Sequence, residues 1–546
     1  MDLEQVLFGL DSFVNDCEND KESFQSVYKD SYIRLLDQLA VLLRNPETRD
    51  DELIKLNLFK FVECGTYLVS NLENSSDFRE LSLELIRVLA NAIADNNINR
   101  QVLAKNTNFI KSLGENLKNN FDDDELNERI LILLKNLIID SPDLAKIVSA
   151  LITENLLIYL GYESHFIAND LFNDLIEFNN YEPSIKTINL FLNKFKNFAE
   201  SKIEDEDEFT EGLENLSNII DQLTQDLRLK INNEILEKSL QKSLFEILSI
   251  LEPLEFVNKL KIQRKIYASI GNISSNLTCH NYRDLPLTLL KESNNGYIVS
   301  ASMLIIGNSI TSAKERTELI DSNNNLTKLI LSKYNNLVDP VQFQGILHIL
   351  KNLISYDTIN ELFTDDSFKN LELLIEATIR NSKYYTNFTN LLIKFLKKFI
   401  VLLNKNQVFQ VLDSDIMKFI SSTDINDDYN LIILLMINKV IVYDSKYDIK
   451  LLLSRGFKLN DNVTIDYLFE LTKTLGVVLQ HTPDLIFSVF DEETVTLLRS
   501  IKSIKDESIG SKAVKNNAQY ISGTIINISK DYKIDTELLK TCKEFF

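Results

Sequence analysis

One pattern constrains this chain more than any other: an apolar helical stretch that ends near an asparagine, then a polar turn and another apolar helix. It reads LELIRVLANAIADN around Asn91, RILILLKNLIIDSP around Asn136, KIYASIGNISSN around Asn272, SASMLIIGNSIT around Asn308 and QGILHILKNLISYD around Asn352. Looser copies follow as LLIKFLKKFIVLLN with Lys398 at the equivalent place, LIILLMINKVIVYD with Asn438, and LFELTKTLGVVLQH with Gly476. From Asn91 to Asn136 is 45 residues; the steps from Asn272 through Asn308, Asn352, Lys398 and Asn438 to Gly476 are 36, 44, 46, 40 and 38. A recurrence scattered about 40 residues matches armadillo or HEAT units and exceeds tetratricopeptide or ankyrin lengths.

Within the copies the apolar residues keep helical spacing. Leu83, Ile86, Leu89 and Ala90 share one face, as do Ile346, Ile349, Leu350 and Leu353. Such faces bury against neighbouring repeats. Only 13 Gly and 7 Pro occur in 546 residues, too few for the turns of a large sheet protein. Ser141-Pro142-Asp143 and Thr482-Pro483-Asp484 read as helix starts with Pro at the first helical position. The expected fold is therefore all-α, an armadillo/HEAT-like right-handed superhelical solenoid with no sheet.

Two acidic segments interrupt the rhythm, Asn119–Glu125 and Ile203–Glu214. They suggest N-terminal repeats over 1–200, an acidic loop and irregular helical connection over 201–260, and C-terminal repeats over 261–546. The run Glu204–Glu208 reads as an exposed, poorly ordered loop.

Charge narrows the function. Eighty Asp and Glu against 58 Lys and Arg leave a net −22, which repels nucleic acid and favours basic partners. No Trp is present for base stacking. Four dispersed cysteines without a C-x-x-C pair read as reduced thiols of a cytoplasmic protein. The acidic start MDLEQVLFGLDSF is no signal peptide, and the apolar runs Leu431–Ile437 and Leu391–Leu403 are too short or carry lysine. No membrane insertion is expected. His165, His280, His348 and His481 lie far apart, and the Cys279-His280 pair has no second pair to complete a metal site. Phosphate-binding loops and nucleophile elbows are missing, so neither cofactor nor catalytic residues are expected.

The repeated asparagine admits two readings. It can face an armadillo groove and bond a partner's extended backbone, or it can stabilise its own repeat. A nuclear-localisation-signal reader is excluded. Its asparagines pair with a tryptophan one turn earlier, where this chain has Arg87, Ile132, Ala268, Leu304, His348 and Leu434.

One armadillo family is recognisable in the C-terminal half. IVSASMLIIGNSITSAKERTELIDSNNNLTKLI followed by DPVQFQGILHILKNLISYDTINELF resembles the late repeats of the small-GTPase dissociation stimulators, where a P-V-Q-F element also opens a helix. MDLEQVLFGL and LDQLAVLLRNPETRD resemble the family's fungal branch of bud-emergence proteins, which act with Rho-type GTPases in cell polarity. The resemblance implies a non-enzymatic binding protein for Rho-type GTPases whose basic C-terminal tails are prenylated, with at most a nucleotide-exchange effect on the bound GTPase. It matches Asn308, Gln344 and Asn352 to the family's motif. Asn272 joins them from the repeat pattern, and His348 and Lys351 from the helical wheel, as candidate groove residues. The alternative is a generic armadillo scaffold or cargo adaptor for basic protein partners.

Overall fold

A computed structural model describes residues 2–19, 28–74, 76–162, 166–178, 184–201, 205–225, 234–275, 283–323, 325–382, 384–422, 427–444, 446–457, 459 and 463–546. The protein is 83% helical with no strand among the described residues. It is an all-α armadillo solenoid, as the period predicts. The chain divides into two compact units, Met1–Thr278 and Cys279–Phe546.

The Asn-marked stretches form one continuous layer of helices in each unit. In the first unit these are α1 (Lys29–Leu42), α2 (Ser76–Ile93), α3 (Asp124–Ile138), α4 (Phe166–Glu177), α5 (Glu206–Thr224) and α6 (Lys259–Ser275). In the second they are α7 (Gly296–Asn308), α8 (Phe343–Leu353), α9 (Thr386–Leu402), α10 (Asp427–Tyr443), α11 (Ile465–His481) and α12 (Ile509–Ile528). Within each unit every one of these helices packs on the next. A second layer covers the first: Leu3–Asn19 packs on Glu52–Val69, which packs on Thr107–Asn119, which packs on Pro142–Tyr162. The apolar faces predicted from spacing are buried, with Leu89, Ile346, Ile349, Leu350 and Leu353 fully inside. The second unit holds one apolar cluster that runs from Leu290 to Cys542.

Short polar residues set the helix boundaries. Asn106 accepts from the Phe109 backbone N–H, Asp123 from Leu126, and Asn295 from Tyr297 and Ile298. Ser312 with Glu315 and Asn404 with Gln407 complete capping boxes. Pro142 and Pro483 open helices as expected. Asn45, Asn96, Asn106, Asn295 and Asn404 thus serve helix starts. Four residues after Asn91 and Asn136 stand Asp95 and Asp140, with φ of 52° and 54°. The same left-handed step closes both repeats; Asp tolerates it better than bulkier residues.

The acidic run departs from expectation. Asp205 is the N-cap of α5, its carboxylate accepting from the Asp207 and Glu208 backbone N–H groups. Glu206, Asp207 and Glu208 form the first helical turn, exposed to solvent. Carboxylates are favourable there because they face the positive end of the helix dipole and its unpaired N–H groups. Glu204 lies outside the described residues. Within 201–260, α5, the helix Glu234–Leu251 and the start of α6 pack within the first unit, with a non-helical stretch over 252–258. The helix Pro142–Tyr162 also departs from expectation. Its span Pro142–Gly161 is long and apolar enough to cross a membrane, but half of that stretch is buried against its neighbours.

Candidate functional site

Four of the marked asparagines, Asn91, Asn136, Asn352 and Asn438, form side-chain hydrogen bonds to a neighbouring repeat. The Asn91 side-chain amide donates to the Ala40 carbonyl at 2.8 Å, and Asn136 to the Ala90 carbonyl at 3.5 Å. In the second unit Asn352 donates to the Gly307 carbonyl at 2.8 Å. Each of these three bonds satisfies a carbonyl near the C-terminal end of the preceding layer helix. The asparagines are half-buried, so the layer's surface still reaches solvent beside them.

Five of the six candidate groove residues come together in the second unit. Asn308 ends α7; Gln344, His348, Lys351 and Asn352 follow on α8, with Gln344, His348 and Asn352 one turn apart. Gln344 is exposed, and the other four are half-buried. Asn272 lies on α6 in the first unit, also half-buried. The D-P-V-Q-F element seats α8 on α7. Asp339 and Gln342 form a capping box, Tyr297 donates its hydroxyl to Asp339, and Ser300 donates to the Gln342 carbonyl at 2.6 Å. Gln344, which follows this element, makes no hydrogen bond among the described residues.

Asn352 also approaches His348, Nδ2 to Nε2, at 3.3 Å. One amide hydrogen then serves Gly307 and the other an unprotonated Nε2, which assigns the imidazole proton to Nδ1. Burial, and secondarily the Lys351 charge, hold the imidazole down at about 4. The two observations agree on a neutral ring. Gly307 makes room for it: an added Cβ there would meet His348 Cδ2 and the Ile349 backbone.

Further along, Lys398 takes the asparagine's place, whereas the next repeat keeps Asn438, which donates to Thr474 Oγ1 at 3.0 Å, and adds Lys439 beside it. Lys398 on α9 donates from Nζ to the Lys351 carbonyl at 2.8 Å. Lys439 on α10 donates to Val401 and Leu403 carbonyls at 2.6 and 3.3 Å. A cation at a helix C-terminus is favoured by the dipole. Burial first, then Arg316 and Lys351, lower the Lys398 ammonium to about 8. Lys351 is lowered by burial and by Lys394. Neither α8 nor α9 contains an acidic residue. Sequence reasoning noted Lys398 only as a degenerate repeat mark. The signal for the rest was KFLKK beside two helices without acids.

The first unit is arranged the other way. There most of the layer's cations are paired: Arg87 with Asp37 and Glu84, Arg129 with Glu84 and Glu125, and Lys261 with Glu214. Lys135 pairs with Asp170 and Asp174; burial opposes its charge, but the two carboxylates outweigh it. Acids exceed bases on α4, with Asp170, Asp174 and Glu177, and on α5, with six acids and no base. Burial raises the Asp221 carboxyl above its usual range, against the pull of Lys265. Gln222 donates to Asn173 at 3.4 Å, a rung missed in the sequence because Gln stands where Asn was sought. His165 and the Cys279-His280 pair lie outside the described residues.

Fold and layer together define the class: an armadillo solenoid whose inner layer is tied by side-chain-to-carbonyl bonds. The likeness extends to solved structures. SYS-1 matches over 96% of this chain and 99% of its own, with a TM-score of 0.54 and 9% identity. SYS-1 in its complex with POP-1 matches over the same shares at 0.55 and 10%. At such identity these comparisons show the fold alone. Sequence comparison is more specific. The BEM4 N-terminal domain matches residues 1–254 and the BEM4 C-terminal domain residues 242–545. The chain belongs to the BEM4 family. A relative from Saccharomyces cerevisiae, the "GTPase-GDP dissociation stimulator BEM4", is 27% identical over an alignment of 642 residues that spans both chains completely.

Proposed function

We propose that this protein binds Rho-type small GTPases and promotes their release of GDP, without covalent catalysis. The observation that carries the reading is the full-length match to a relative of that stated activity within a shared family. The physical mechanism needs no catalytic group. A protein that binds the nucleotide-free GTPase more tightly than the GDP-bound form lowers GDP affinity by the same factor. The asparagine layer around Asn308, Gln344 and Asn352 is the surface we assign to the GTPase.

The basic tail of such a GTPase finds complementary charge on α4 and α5 of the first unit, which carry nine acids and no base; Asp170, Asp174 and Glu214 already pair with Lys135 and Lys261, and Glu206, Asp207 and Glu208 stand exposed at the start of α5. A cleft of about 980 Å3 in the same unit has Leu151, Leu157, Ile158 and Leu190 in its wall, and offers apolar surface to a prenyl group. Calorimetric titration of a GDP-loaded or nucleotide-free Rho-type GTPase, with and without its basic tail, tests the reading. Each tail lysine removed should weaken binding by about 0.2–1 kcal/mol. Raising salt from about 50 to about 500 mM shortens the Debye length about threefold and should weaken it further. Binding that ignores tail and salt would leave the acidic helices without this role. No binding in any nucleotide or lipid state would favour a general scaffold.

A further inference from the structure

In a chain of net charge −22, one stretch of the layer carries lysines that nothing neutralises. Lys351 on α8, Lys394, Lys397 and Lys398 on α9, Lys439 on α10, and nearby Arg316 form no ion pair among the described residues. The first unit pairs Arg87, Arg129, Lys135 and Lys261 with carboxylates and leaves Lys265 without an ion pair among the described residues, so it is the run of unpaired cations on three successive helices that sets this stretch apart. Glu315, next to Arg316, is committed elsewhere: it receives hydrogen bonds from Thr311 and Ser312 in its capping box. The Lys394 charge lowers Lys351, and the charges of Arg316 and Lys351 lower Lys398, in each case after burial. Like charges held together at half-buried positions cost stability unless an anion joins them.

We infer that the lysines of α8, α9 and α10 form a docking strip for an extended acidic segment of a partner protein. Lys398 and Lys439 are fixed by the carbonyls they cap, and each ammonium carries three donors, so at least one remains for an incoming carboxylate. The three helices are consecutive in the layer. Packed helices lie about 8–10 Å apart, and an extended chain advances about 3.3 Å per residue. A carboxylate every third residue therefore meets Lys351, Lys398 and Lys439 in turn. An armadillo groove takes extended chains readily because the layer repeats along one axis. The strip differs in sign from α4 and α5, so it is not the surface we assign to a basic tail.

The test is fluorescence anisotropy of the full chain with a labelled peptide of pattern D-x-x-E-x-x-D, against the same peptide with Asn and Gln in place of the acids. No GTPase is present, so failure of the GTPase reading leaves this result untouched. The acidic peptide should bind, lose affinity as salt rises, and outcompete the neutral one. Lys394→Gln, at an exposed side chain with no described partner, should weaken it about 1.5- to 5-fold, the range of one partly exposed ion pair. Lys398→Asn should do the same while keeping an amide donor for the Lys351 carbonyl, as Asn352 does for Gly307. Equal binding of both peptides, no binding of the acidic one, or wild-type affinity in both variants would overturn the inference.

Discussion

Asn352 carries a structural bond in the same side chain that we propose for the GTPase surface. Its amide N–H groups are committed to Gly307 and His348, while its Oδ1 makes no hydrogen bond among the described residues. Asn352→Ala should therefore lower unfolding stability by about 0.5–1.5 kcal/mol in urea titrations, the usual net worth of one hydrogen bond. A groove role alone would leave stability unchanged, so the repeat-holding reading contributes at this position. His348 gives a second prediction. Its folded-state value of about 4 lies below the ordinary 6.5, so the unfolded chain binds the proton more tightly. Its contribution to stability is present above about pH 6.5 and is lost as pH falls toward 4. The difference in melting temperature between wild type and His348→Gln should shift in favour of the variant across that window. A pH-independent difference would contradict the neutral, buried ring.

At the scale of the helix, two sites expose the physics that the sequence disguised. Asp205 caps α5, and Asp205→Ala should cost about 1 kcal/mol by urea denaturation; a change near zero would return this run to the loop it resembled. Counting like charges over Glu204–Glu208 read it as solvated coil. The helix was nevertheless encoded just beyond, in Leu213, Leu216 and Ile220, which lie on one buried face. Local composition lost to a cap followed by an amphipathic pattern. The second site is Gly345, against which Ser300 of α7 packs so closely that an added Cβ would run into the Ser300 carbonyl and hydroxyl. Gly345→Ala should push α8 off α7 and destabilise by about 1–3 kcal/mol, measured by thermal melting. Wild-type stability would mean the two helices sit further apart. That contact was invisible in the sequence, because only packing reveals which glycine another helix needs.

Across the whole molecule, period and composition carried the fold, since each repeat writes its own core face and end. The candidate site was legible only in part. Asn91, Asn136 and Asn352 stood out because a ladder residue recurs at a fixed place, and they do form the inter-repeat bonds. The charge arrangement did not, because a net −22 averages over a first unit with acid-rich helices and a second with bare lysines. Sequence totals cannot show which charges are paired. Promotion of GDP release is the property on which the proposed function stands. It is tested most directly by following fluorescent GDP leaving a Rho-type GTPase in excess unlabelled nucleotide, with and without this protein. Faster release is expected, saturating with protein concentration and weakened by Asn308→Ala with Gln344→Ala. Release at the intrinsic rate at every protein concentration, from both prenylated and unprenylated GTPase, would contradict it.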